Sequence, residues 1–263
     1  MAHIDIDGRS IEVRTIPGDA TRRPLVFLHE GLGSVGLWRD FPDKVARQLR
    51  APAFVYSRVG YGQSSGLTGP RQPDFMHREA LETLPRLLDR LGIGQPILVG
   101  HSDGASIALI HAASSGRGVA GAVLMAPHVM VEPICTEAIA MALAAYQRGD
   151  LRQRLARYHR DVDDAFLGWA RVWLSPPFQG WSLRPECRRL GVPLQLIQGR
   201  QDEYGTLAQL DTIEAEVYAG AVAAGRTAPP IVRLDLDDCR HSPHRDQEGR
   251  VIAAIAEWAN GLE

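Results

Sequence analysis

The densest group of reactive residue types is Gly100-His101-Ser102-Asp103-Gly104. A serine hydroxyl is a weak nucleophile until a neighbouring base takes its proton. It must also stand clear of the backbone to reach a carbonyl carbon. A G-x-S-x-G run achieves this when it joins a strand to a helix, because the sharp turn projects the hydroxyl beyond the sheet and tolerates only glycines beside it. Here the run follows the apolar Ile97-Leu98-Val99 and opens the small-residue stretch Ala105–Ala113, which has helical character. The same five residues also read as a glycine-rich loop with a capping serine. The strand before and the helix after favour the nucleophile.

Such a serine needs a base, and the base an orienting acid. On a strand–turn–helix scaffold the chain order is serine, acid, histidine, the acid following the next-to-last strand and the histidine the last. Leu194–Ile197 runs into Gln198-Gly199-Arg200-Gln201-Asp202-Glu203, and Ile231–Leu236 runs into Asp237-Asp238-Cys239-Arg240-His241-Ser242-Pro243-His244. Asp202 and His241 complete the set. Glu203 is the competing acid and His244 the competing base, and Asp202 alone also reads as a cap for the helix near Thr206. Asp238, His241, His244 and Asp246 match no usual zinc spacing, so no metal is expected.

Charge developing on a carbonyl oxygen is stabilised by two backbone N–H groups. The expected pair is Asp103 and Gly31, the latter in the loop His29-Glu30-Gly31-Leu32-Gly33-Ser34 after Leu25–Leu28. Gly31-Leu32-Gly33-Ser34-Val35-Gly36 also spells a dinucleotide fingerprint. That reading wants an acid after the next strand, where this chain has Ser57-Arg58; an arginine there suits only the extra phosphate of NADP. Glu30 would place a carboxylate against a pyrophosphate, so no cofactor is expected.

The elements that must position these residues follow a simple rhythm. His3–Asp7 and Ile11–Thr15 form an opening hairpin; Leu25–Leu28, Phe54–Tyr56, Ile97–Val99 and Val119–Met125 are buried strands; Leu37–Leu49, Phe75–Leu91 and Ala105–Ala113 are helices. From Val131 to Arg189 only helices are expected: Glu137–Arg148, Leu151–His159 and Asp163–Leu174. Strands then resume at Leu194–Ile197 and Ile231–Leu236, with helices at Leu207–Val217 and Val251–Asn260. Ala219–Pro230, rich in Ala, Gly and Pro, reads as irregular. Alternating strands and helices imply an α/β fold: a mostly parallel sheet with an antiparallel N-terminal hairpin and helices on both faces. The expected organisation is a core of residues 1–130 and 190–263 with 131–189 inserted as a helical lid.

Composition sets the outer limits. The 263 residues are 45% hydrophobic and 23% charged, with net charge -2. This is a globular balance, not a disordered or collagen-like one. It offers no electrostatic footprint for nucleic acid or an anionic membrane. Three cysteines without CxxC pairing suggest neither a disulfide framework nor a zinc site. The N-terminus resembles a strand and not a signal peptide, and no apolar run is long enough for a membrane span. A cytoplasmic protein acting on a small molecule is the expectation.

Taken together, His29-Glu30-Gly31 with Gly33, Ser57–Ser64, Gly100–Gly104, Asp202 and His241 resemble the α/β-hydrolase family over essentially the whole chain. Glu30, Ser57 and Arg240 replace the family's usual Gly, Asp and Gly. The family spans esterases, lactonases, thioesterases, carbon–carbon hydrolases, peptidases and some non-hydrolytic members, so fold similarity cannot choose a substrate. Asp103 directly after the serine is similar to valacyclovirase-type (biphenyl-hydrolase-like) esterases, where that Asp is associated with a substrate amine. The resemblance implies that Asp103, with Glu30 as a second anion, meets a substrate cation; the plainer reading is a carboxylate at a helix start. Trp169 and Trp173, one helical turn apart, either line an acyl pocket together with Trp181 or pack the lid on the body. Arg58, Tyr61 and His128 follow strands and either rim the site or are structural. A small-ester, lactone or thioester hydrolase is expected. Carbon–carbon bond hydrolysis, a lyase on the same scaffold, and a binding protein without turnover are the competing readings.

Overall fold

A computed structural model describes residues 1–262. Eight strands form one sheet: β1 (Ala2–Ile6), β2 (Arg9–Ile16), β3 (Leu25–Leu28), β4 (Ala53–Tyr56), β5 (Ile97–His101), β6 (Gly121–Met125), β7 (Leu194–Gly199) and β8 (Ile231–Leu236). Their order is β1-β2-β4-β3-β5-β6-β7-β8. The β1–β2 and β2–β4 pairs are antiparallel and every later pair is parallel. The parallel strands β3, β5, β6 and β7 are buried along their whole length, which is why they read as continuous apolar runs. The chain leaves β3 for β4 on one side, then crosses to β5 on the other. In open α/β sheets ligands bind beyond the strand C-termini at such a switch point.

Helices α1 (Phe41–Leu49), α2 (Phe75–Arg78), α3 (Leu84–Leu91), α4 (Asp103–Ser114), α5 (Pro133–Arg148), α6 (Leu151–Ala156), α7 (Val162–Trp173), α8 (Arg184–Arg189), α9 (Ala208–Ala223), α10 (Pro243–Asp246) and α11 (Glu248–Asn260) complete the order. Two apolar clusters lie on opposite faces of the sheet. One gathers α4 and the helices between β6 and β7; the other gathers α1 and α11. Between β6 and β7 the described residues form no strand beyond the isolated bridge Met130–Ser182.

Several element ends shift: α5 starts at Pro133 and not Glu137, α6 ends at Ala156 and not His159, and β6 starts at Gly121 and not Val119. Three further differences have a clear structural cause. The helix expected from Leu37 starts at Phe41, because residues 34–39 form turns closed by Leu37 N–H on Ser34 O and Arg39 N–H on Gly36 O. The Phe75–Leu91 helix is interrupted by a wide turn at Glu79–Thr83. Pro85 lacks the N–H that an α-turn would use there, and the loosened Ala80 carbonyl accepts a hydrogen bond from His111 Nδ1 at 2.7 Å. Residues 219–223 are helical, because the small residues read as irregular permit a close helix crossing. A Cβ on Gly220 would lie 2.0 Å from the Arg188 carbonyl oxygen of α8.

Candidate active site

Between β5 and α4 a single residue, Ser102, makes the turn, with φ 52° and ψ -121°. A non-glycine residue is strained there and persists only where its surroundings fix it. Ser102 N–H donates to Met125 O at 2.9 Å. The flanking glycines are required by contact: a Cβ on Gly100 would lie 2.5 Å from Ala105 Cα, and one on Gly104 would lie 2.0 Å from Leu28 O. The start of α4 is thus pressed against β3.

Ser102, His241 and Asp202 come together although 139 and 39 residues separate the successive partners. His241 Nε2 lies 3.0 Å from Ser102 Oγ, and His241 Nδ1 lies 2.8 Å and 2.9 Å from the two Asp202 oxygens. Asp202 Oδ1 also accepts from the N–H of Tyr204 and Gly205 at 2.8 and 3.2 Å, and Oδ2 from Gln198 Nε2 at 3.2 Å. Burial alone would raise the Asp202 carboxyl. The His241 ring and the Tyr204 N–H outweigh it and hold the group below the usual carboxylate range. Burial likewise works against a charged His241, but the adjacent Asp202 outweighs it and raises the imidazole above its ordinary value. Of the competing residues, Glu203 touches only the main chain of His241, accepting its N–H at 3.2 Å. His244 is buried against Trp38 and Phe41, with ring centroids 5.0 and 5.3 Å away.

The loop after β3 is pinned from below. The Glu30 carbonyl oxygen accepts from Arg58 Nη2 at 2.7 Å, from His29 Nδ1 at 2.7 Å and from Gly33 N–H at 3.0 Å. His29 Nε2 in turn accepts from Arg58 N–H at 3.0 Å. Burial, then the Arg58 charge, keeps His29 well below its ordinary pKa and so neutral. A trans peptide points its N–H opposite to its C=O. With the Glu30 carbonyl held inward, the Gly31 N–H is directed to the other side. Asp103, as the first residue of α4, has an N–H with no partner within the helix. Gly31 and Asp103 both line the cavity that contains Ser102.

That cavity measures about 250 Å³ and is walled by Leu32, Leu37, Ile139, Leu155, Trp169 and Trp173, with His128, Tyr204 and His241 around the hydroxyl. Trp169 lies over the loop after β3: a Cβ on Gly31 would meet its indole nitrogen at 2.2 Å. Trp181 does not line the cavity but packs edge-on against Trp173 and stacks on Phe178. Burial, then the nearby His241, pushes His128 down to about 3, so its ring is neutral.

The expected anions behave differently from a cation trap. Asp103 is fully buried, both carboxylate oxygens sealed and without a hydrogen-bond partner, and the nearest charge is Arg58 Nη1 at 3.8 Å. It neither opens to a substrate amine nor caps an N–H of α4. The cause is Arg58, which folds under the loop over the Tyr61 ring, 4.7 Å from its centroid, and draws the carboxylate inward. Burial raises the Asp103 carboxyl against the pull of Arg58 and Arg71. Glu30 turns its carboxylate to His101 Nδ1 at 3.5 Å and Arg245 Nη2 at 3.8 Å. That carboxylate crosses the glycine loop, since a Cβ on Gly33 would lie 2.4 Å from Glu30 Oε2. No open cradle for a pyrophosphate is left over that turn. Among the described residues, no three His, Cys, Asp or Glu side chains group as a metal site would need. Nor is any helix long and apolar enough to cross a membrane.

A family model described as alpha/beta hydrolase fold matches residues 23–186. The chain belongs to this family. A (lyso)-N-acylphosphatidylethanolamine lipase of Mus musculus is 30% identical over 297 residues, covering 95% of this chain and 83% of the relative. A proline iminopeptidase of Lactobacillus delbrueckii subsp. lactis is 32% identical over 97 residues, covering 36% of this chain and 33% of its own. Among solved structures, a bacterial membrane phospholipase A superposes with a TM-score of 0.76 at 15% identity, covering 99% of this chain and 85% of its own. At that identity the match speaks for the fold. Family and relatives together identify this α/β-hydrolase chain as a hydrolase.

Proposed function

We propose that this hydrolase cleaves a small carboxylic ester, lactone or thioester through an acyl-enzyme on Ser102. The observation that carries the reading is the unbroken series from Ser102 Oγ through His241 to Asp202, at 3.0 and 2.8 Å. His241 Nε2 takes the hydroxyl proton as Ser102 attacks the carbonyl carbon, then delivers it to the leaving group. Asp202 holds the ring with Nδ1–H toward itself and stabilises the imidazolium. The N–H groups of Gly31 and Asp103 receive the developing oxyanion, a contribution of about 3–4 kcal/mol for one such donor. Water activated by His241 releases the acyl group.

The cavity supports a small substrate. At about 250 Å³ it lies below the roughly 300–1,000 Å³ of pockets that bury drug-sized ligands. Its Trp169 and Trp173 wall suits a short apolar acyl group, with the helices between β6 and β7 as the lid. An ester series of increasing acyl length tests this: specificity constants should peak at short chains, and an optimum at long lipid chains would contradict the reading. Ser102→Ala should abolish turnover of every ester.

A further inference from the structure

A second histidine–carboxylate pair lies beside the proposed triad and has no part in the mechanism above. His101, the residue before Ser102, is 1% exposed. Its Nε2 lies 2.7 Å from the main-chain carbonyl oxygen of His241. A carbonyl oxygen only accepts, so Nε2 carries a proton. Nδ1 faces Glu30 Oε2 at 3.5 Å, an ion-pair distance, and makes no hydrogen bond with any protein group. An ionised carboxylate also only accepts, so a bare Nδ1 would set its lone pair against a carboxylate oxygen, with His101 itself buried and Glu30 19% exposed at the cavity edge. The other groups around the pair come from the α10 segment, the loop before it and the turn before α1. Arg245 Nη2 lies 3.8 Å from Glu30 Oε1, which favours the ionised carboxylate. The rings of His244 and His241 lie 4.7 and 5.2 Å from that of His101, and Trp38 closes the remaining side at 6.4 Å.

We infer that Glu30 and the buried His101 form an imidazolium–carboxylate pair that anchors the main chain of His241. This rests on His241 being the base. The base is then held at two points: Asp202 fixes its ring and His101 fixes its backbone. Such an anchor has a clear use. His241 sits in an irregular segment between β8 and α10, and its own N–H is held only by Glu203 Oε2 at 3.2 Å. A displacement of about 1 Å in a catalytic group can cost as much as a hundredfold in rate. Glu30 and His101 are positioning residues, acting through His241 and not on the substrate.

The direct test is ring-nitrogen NMR of protein labelled with 15N-histidine at neutral pH, with His101 assigned by its loss in His101→Gln. Both His101 nitrogens should carry protons in the wild-type protein, and only Nε2 in Glu30→Gln. In kinetics on the best ester, His101→Leu should lower kcat about tenfold, as expected for a buried carbonyl losing its donor, with KM little changed. His101→Gln, whose side-chain amide can donate to the same carbonyl, should recover most of the loss. A bare Nδ1 in the wild type overturns the inference even where His101→Leu does not fold, as does a folded His101→Leu with wild-type kcat. Ser102→Ala separates the two levels. An active Ser102→Ala contradicts the triad reading itself; an inactive one beside an unimpaired His101→Leu removes only the anchor.

Discussion

At the scale of single residues, what matters is which charges are open and which are spent. His241 is raised and Asp202 is lowered, so the proposed base loses activity as pH falls through the His241 pKa, which lies above the ordinary imidazole value. Asp202→Asn should move the acid limb of kcat/KM to lower pH, because the charge that favours protonated His241 is gone. It should also cut kcat by about 10³–10⁴-fold. A pH–rate profile of both proteins measures this, and an acid limb that stays in place would make Asp202 a bystander. Asp103 carries the opposite expectation. With its oxygens sealed against Arg58, Asp103→Asn should leave the ratio of specificity constants for matched cationic and neutral esters unchanged. Ser102, Asp202 and His241 were legible in the sequence because chain order and strand ends constrain them. The Asp103 orientation was not. Residue order says that a carboxylate follows the serine, but only tertiary packing brings Arg58 beneath it.

At the scale of elements, close approach does the positioning. The start of α4 lies so near β3 that a methyl at Gly104 would collide with a strand carbonyl, and neither backbone has a rotamer to yield. Gly104→Ala should therefore destabilise the protein by about 1–3 kcal/mol, as overpacking commonly does. The fall should appear as a lower urea midpoint with an unchanged slope. An unaltered midpoint would mean that α4 can retreat and that the elbow is less fixed than its contacts indicate. Strands were readable because burial on both faces leaves long apolar runs. Element ends were less so. The Glu79–Thr83 turn depends on Pro85 together with a distant histidine, and the last turn of α9 on a crossing with α8; neither partner is local in sequence.

At the scale of the whole molecule, one end of the sheet gathers the loop after β3, the elbow after β5, His128 after β6, Asp202 after β7 and His241 after β8. The helices between β6 and β7 close this end with Trp169 and Trp173, so the proposed acyl pocket is built from parts far apart in sequence. Trp169→Ala should enlarge the cavity over Gly31 and shift the chain-length optimum toward longer acyl groups, read from kcat/KM across an ester series. An unmoved optimum would place Trp169 in lid packing alone. The central claim is that Ser102 is the nucleophile, and intact-protein mass spectrometry after treatment with a fluorophosphonate tests it most directly. A single adduct mapping to Ser102 in the wild type and absent from Ser102→Ala is the expected result; an adduct that persists in Ser102→Ala would contradict it.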